Sequence, residues 1–334
     1  MYSSLATLAW AVFSASQAMA SCAHGTHLHR RAEGAVEVSN FGYIGLTGPT
    51  NWVAIDSANI LCATGTRQSP IDMTEGQFQL VPASAIGLQI PDFTEGTEFE
   101  NLGTTVEVVA KGGTMAVNGV QFNLQQFHFH LPSEHLDNGT SRAMEMHMVW
   151  ESAQGQIAVV GVYIDVENAN GGAVAAPPAA NETAAAEKRS AKMDPRYKRE
   201  AEPKVAKRAT TTLLETVFSS VGAITQPGTK TETEPLVMSE IVDIINAGDL
   251  QNYSGSLTTP PCSEGVTWFV STQSLQISAE NFARVRDVIG FNARFPQNSL
   301  GQPNLLAVNG AMMSSPQVQL AALRQSLGGR VGFQ

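Results

Sequence analysis

The sequence predicts one large domain of the mostly β class. Three observations carry this. Between residues 41 and 165, runs rich in β-branched and aromatic residues (105–110, 114–117, 121–130, 143–150 and 157–164) alternate with Gly, Pro and Asn. Helix-length periodic segments are few in the same stretch. A chain of 334 residues, 43% of them hydrophobic, has enough material for one sizeable core.

The N-terminus reads as an export signal over residues 1–20. An apolar run at 5–13 is too short to span a bilayer, and the small residues Ala18-Met19-Ala20 suit a signal peptidase. No later segment is long and apolar enough for a membrane span or lipid-anchor signal, so a secreted chain without membrane contact is expected. Residues 21–31 end in Arg30-Arg31, the kind of pair that processing proteases cut, and so read as a possible propeptide. There are three cysteines, Cys22, Cys62 and Cys262. In an oxidising compartment an odd count leaves one over. Loss of Cys22 with the propeptide leaves Cys62 and Cys262 to pair with each other or to remain buried thiols.

From about 167 to 208 the texture changes. This stretch is rich in Ala, Pro, Lys and Glu, lacks Trp, Phe, Ile and Leu, and reads as a disordered surface insertion. It holds Lys188-Arg189, Lys198-Arg199 and Lys207-Arg208, further targets for excision by a processing protease. Helical spacing follows at 213–221 and 239–247, then a Ser/Thr/Pro-rich loop, a strand at 266–271 and a helix at 279–289 with Ser278 as N-cap. The domain is expected over 32–300, with a loose tail at 301–334. A net charge of −10 argues against nucleic acid as a partner, since phosphates are bound by clustered Lys and Arg. Asn138, Asn181 and Asn252 sit in glycosylation sequons.

The chemistry concentrates in two runs. In Gln126-Phe-His-Phe-His130, Phe127 and Phe129 alternate with Gln126, His128 and His130, so a strand turns its aromatics to a core and two imidazoles the other way. In Met144-Glu-Met-His-Met148 the methionines face one way, Glu145 and His147 the other. Two neighbouring strands can thus gather three imidazoles, the ligand set of a catalytic zinc with one position open. A single strand histidine is usually structural. Here, however, only four histidines follow Arg31, and three of them lie in these two runs.

At these residues the chain resembles the α-carbonic anhydrases. The likeness takes in Phe41-Gly-Tyr43, Gly48-Pro-Thr-Asn-Trp52, Arg67-Gln-Ser-Pro-Ile71, both histidine runs, Ala158-Val-Val-Gly161, Gly255-Ser-Leu-Thr-Thr-Pro-Pro261, Val266-Thr-Trp268 and Asn292-x-Arg294. It implies a large, mainly antiparallel, twisted central sheet with peripheral helices. It also implies a zinc lyase that hydrates carbon dioxide reversibly to bicarbonate and a proton by attack of a zinc-held hydroxide. On this resemblance His128, His130 and His147 ligate zinc, Thr258 and Glu134 orient the hydroxide, and Thr259 contacts substrate. Gln126 and Glu145 hold the far ring nitrogens of His128 and His147, and Val149, Val159, Leu257, Val266 and Trp268 form the carbon dioxide wall. Cys62 and Cys262 match the disulfide of secreted relatives, and His135 matches a buried structural histidine. The chain departs from the pattern at Asn101-Leu-Gly-Thr104, where fast members carry a proton-shuttling histidine in place of Thr104.

Two rival readings use the same residues. An inactive, carbonic-anhydrase-like binding module would usually lack a ligand histidine, and all three are present. A secreted zinc esterase is the other, but no His-Glu-x-x-His run or nucleophile elbow accompanies the histidines.

Overall fold

The computed structural model describes residues 23–31, 34, 36–167 and 210–313. The expected signal peptide, Cys22, Asn181, nearly all of the insertion and the tail from 314 lie outside the described residues. The strands are β1 (Gln79–Pro82), β2 (Glu98–Asn101), β3 (Val106–Val109), β4 (Thr114–Val117), β5 (Val120–His130), β6 (Met144–Ser152), β7 (Ile157–Val166), β8 (Lys230–Glu232), β9 (Asp249–Ser256), β10 (Glu264–Ser271) and β11 (Leu275–Ile277). They form one sheet in the order β1-β9-β10-β7-β6-β5-β3-β2-β8, with β4 on β5 and β11 on β7. The sheet is mainly antiparallel, as expected, but mixed: β7 pairs in parallel with both β10 and β11.

Local chemistry explains the long central strands. β4 and β5 are joined by Asn118-Gly119, with φ of 51° and 80°. Both residues accept the left-handed backbone that a two-residue hairpin needs. In β5 the register shifts between Leu124 and Gln126, so that Leu124 pairs with Trp150 but Gln126 pairs with Val149. The extra residue turns Leu124 to one face of the sheet and Gln126 to the other.

Below the bulge the alternation is regular. Phe127, Phe129, Leu131, Met144, Met146 and Met148 all join the main core on one face. That face is covered by α3 (Thr212–Ser219), α4 (Met238–Asn246) and α5 (Ala279–Ile289), which follow the short α1 (Trp52–Ile55) and α2 (Leu61–Thr64). Leu213, Val217 and Phe218 of α3, Ile241 and Ile245 of α4, and Val285 of α5 enter the same core. The Phe129 and Phe218 rings lie 4.6 Å apart. Burying one such side chain is worth about 1.5–3 kcal/mol, which is why the histidine-bearing strand is a stiff platform. Ser278 caps α5 as expected, its Oγ accepting from the Asn281 amide at 3.2 Å.

The expected loose tail needs correction. Residues after 301 include a further helix, α6 (Leu305–Met313). Its weak apolar period hid it. Asn304, just before it, donates from Nδ2 to the carbonyls of Gly65 (3.1 Å) and Cys62 (3.3 Å), which ties the helix start to the end of α2. No described helix is long and apolar enough to cross a membrane.

Candidate metal centre

The face opposite the helices carries the candidate site. His128 and His147 are direct cross-strand partners in β5 and β6, and His130 lies two residues further along β5. Paired residues share a face of the sheet, so the three imidazoles converge. One nitrogen of each lies within 4.8 Å of the others, and all three side chains are fully buried.

The ring nitrogens turned away from this cluster are fixed. Nδ1 of His128 is 2.8 Å from Gln126 Oε1, Nδ1 of His130 is 2.9 Å from the Asn292 carbonyl, and Nε2 of His147 is 2.9 Å from Glu145 Oε1. Each of those acceptors demands an N–H from its imidazole, which leaves the other nitrogen of each ring as a lone-pair donor.

Glu145 anchors more than one histidine. Its Oε1 also accepts from His135 Nδ1 at 2.7 Å, and its Oε2 accepts from the amides of Glu134 and His135, both at 2.9 Å. Burial alone would raise this carboxyl. The electrostatic pull and hydrogen bonds of the His135 and His147 rings nonetheless hold it well below the ordinary carboxylate range. His135 is buried, with its Nε2 2.7 Å from the Tyr253 hydroxyl, a structural position as expected. Gly161 of β7 pairs with His147. A Cβ there would lie 3.0 Å from Glu145 Oε1, so glycine makes room for the carboxylate.

Glu134 closes the other side. Its Oε1 accepts from the Arg294 amide at 2.8 Å, while Oε2 lies 3.5 Å from His130 Nε2 and 3.9 Å from His147 Nδ1. Thr258 and Thr259 are fully buried on the loop between β9 and β10. That loop is held by the Leu257 amide on the Ser263 carbonyl, the Cys262 amide on the Thr259 carbonyl, and a Cys62–Cys262 disulfide joining residues 200 apart. The five residues expected to form an apolar wall come together in one buried cluster, which also includes Tyr253, Tyr163 and Ala23. Trp268 packs within it, its ring 4.8 Å from that of His147 and its indole N–H on the Ser256 carbonyl.

Sequence reasoning missed the roles of Asn292 and Arg294. Asn292 holds His130 through its carbonyl, and its side chain grips the Leu131 amide and the Thr104 and Phe129 carbonyls. Buried Arg294 donates to the carbonyls of Ser69 and Cys62 and to Gln68, over the ring of Trp52. The only signal was the spacing Asn292-x-Arg294, which by itself names no partner.

The family model for eukaryotic-type carbonic anhydrase matches residues 47–177 and 203–304. The chain is 30% identical over 261 residues to alpha carbonic anhydrase 4 of Arabidopsis thaliana, covering 76% of this chain and 80% of that protein. It is 28% identical over 257 residues to a carbonic anhydrase of Pectobacterium carotovorum, covering 76% and 85%. Among solved structures it is similar to the fungal alpha carbonic anhydrase of Aspergillus oryzae, at 33% identity and a TM-score of 0.67, over 81% of this chain and 98% of that one.

Proposed function

Because the chain belongs to the eukaryotic-type carbonic anhydrase family and is a lyase of carbon dioxide hydration, we propose that His128, His130 and His147 hold its zinc. The observation that carries this reading is the convergent histidine cluster with every outward ring nitrogen engaged by an acceptor. Three neutral imidazoles are the donor set that would hold a catalytic zinc. Bound there, zinc supplies the Lewis acidity that brings the deprotonation of water close to neutral pH.

The surrounding residues then divide the work. Gln126, Asn292 and Glu145 keep the imidazoles in the tautomer that offers a lone pair inward. Thr258 donates its hydroxyl proton to the Glu134 carboxylate, so its oxygen accepts from the attacking oxygen and fixes the direction of attack. Thr259 lines the polar side. Val149, Val159, Leu257, Val266 and Trp268 receive carbon dioxide, which needs an apolar wall rather than hydrogen-bond donors. Thr104 offers no group that takes up a proton near neutral pH, so the proton leaves through water or buffer. The domain begins at 32 and runs through α6, with the insertion 167–208 cut out by a dibasic-specific protease.

Secretion is part of the proposal. The disulfide suits an oxidising compartment, and Asn138 is exposed in a turn where a glycan has room. Asn252 is a poor acceptor, because its Nδ2 donates to the Trp268 carbonyl within the sheet.

The deciding experiment is His147→Ala. Metal analysis and stopped-flow carbon dioxide hydration should show zinc and activity lost together. Near-normal hydration in the purified variant refutes the assignment.

A further inference from the structure

The N-terminal segment before Arg30-Arg31 lies on the face of the sheet that carries the histidines. The register sets up a row across four strands: His147 pairs with His128, His128 with Glu107, and Glu107 with Glu100. Directly paired residues share a face, so the two carboxylates continue the histidine row outward along the cleft floor. The segment binds this row. His24 Nδ1 lies 2.9 Å from Glu107 Oε1 and 3.9 Å from Glu100 Oε2, and the Arg31 guanidinium donates to Glu107. At the other end His27 pairs with Glu151 on β6, four residues beyond His147 and so on the same face.

The segment also reaches the apolar half of the cleft. Ala23 is fully buried in the apolar cluster that includes Val149, Val159, Leu257, Val266 and Trp268. The segment is a compact turn, with Thr26 N on the Ala23 carbonyl (3.0 Å), His29 N on the Thr26 carbonyl (3.1 Å) and Gly25 N on the His29 carbonyl (2.8 Å). Gly25, at φ of 81°, allows the turn. Charge is matched as well. Burial, with the neighbouring Glu98 and Glu107, raises Glu100 to about 7, whereas His24 and Arg31 outweigh burial and hold Glu107 below its ordinary value.

We propose that residues 23–31 are a built-in inhibitor that occupies the carbon dioxide pocket and the cleft floor, and that hydrolysis of the Arg31–Ala32 bond activates the enzyme. The inference rests on the zinc-site reading above. In the activating step water adds across the amide. The Arg31–Ala32 C–N bond breaks, leaving a carboxylate on Arg31 and an amine on Ala32, and the peptide loses its covalent hold. A tether keeps its ligand at an effective concentration on the order of millimolar, so cutting it lets a weak peptide diffuse away.

The test uses the full chain, produced without the processing protease, and the variant Ala32→Pro, which resists cleavage at this bond while keeping both arginines. Both are treated with a dibasic-specific protease, which cuts any accessible insertion pairs in each alike. Carbon dioxide hydration and the rate of zinc loss to dipicolinate are then followed at known zinc content. The wild-type chain should gain at least tenfold in hydration and lose zinc at least tenfold faster, while Ala32→Pro stays slow in both. Adding His24→Ala to Ala32→Pro should loosen the segment and speed zinc loss without cleavage. Equal rates in cleaved chain and Ala32→Pro overturn the proposal. The zinc-loss arm decides the role of the segment even for a chain that stays inactive after cutting, an outcome that counts against the catalytic reading instead.

Discussion

Glu145→Gln tests whether the carboxylate beneath His147 holds the site. Glu145 accepts four hydrogen bonds: Oε1 takes the His147 and His135 ring nitrogens, and Oε2 takes the Glu134 and His135 amides. Glutamine keeps one acceptor oxygen and replaces the other with an NH2. Whichever way it turns, two of the four donors face another donor. A hydrogen bond to an ionised group is worth about 1.5–3 kcal/mol, so the two together come to about 3–6 kcal/mol. This divides between metal affinity and folding. Loss of such a partner typically lowers metal affinity by about 10–100-fold, or about 1.4–2.8 kcal/mol. The remainder, about 1.6–3.2 kcal/mol, should appear as lost stability. Chelator competition and urea unfolding of the zinc-free chain read the two parts separately. Zinc affinity within about threefold of wild type, with stability within about 0.5 kcal/mol, would show that Glu145 does not hold the site.

The remaining predictions concern the frame around the centre. Cys62→Ser with Cys262→Ser, in a chain whose insertion pairs are replaced, should lose about 5 kcal/mol in urea unfolding, because the bond closes a loop of 200 residues; a loss below about 1 kcal/mol refutes the chain-entropy account. In the native secreted protein, excision of the insertion should give two bands on electrophoresis only after reduction. Thr104→His should raise the maximal hydration rate of the activated enzyme in weak buffer, and added imidazole should do the same for wild type; a rate insensitive to buffer shows another proton route. Glycosidase treatment followed by peptide mapping should find sugar on Asn138 and none on Asn252, and an unchanged mass removes the glycan assignment.

What could be read from the sequence tracks the range of the forces involved. Strand alternation is local, so β5, β6 and the faces of His128, His130 and His147 follow from neighbours two residues apart. The N-cap at Ser278 is equally local. The partner of His130 is not: the Asn292 carbonyl arrives from 162 residues away, and any residue type presents a carbonyl. The bulge after Leu124 was hidden for a related reason, since an extra residue changes face without changing composition. Helix α6 failed a periodicity test because its start is tied by Asn304 to backbone carbonyls rather than by an apolar stripe.

The segment at 23–31 is the sharpest case. Its composition, with three histidines and two arginines in nine residues, gives no apolar period and reads as disposable. What gives it a place is the pair Glu100 and Glu107, which fall in register only once β2, β3 and β5 have paired. Those carboxylates give the cleft floor an acidic patch on which a basic segment can dock. A basic segment that covers them while the chain is immature, and departs at its own Arg-Arg boundary, accounts for the contacts to the acidic floor, the dibasic pair and the buried Ala23 together. A segment that was only a spacer accounts for the dibasic pair alone.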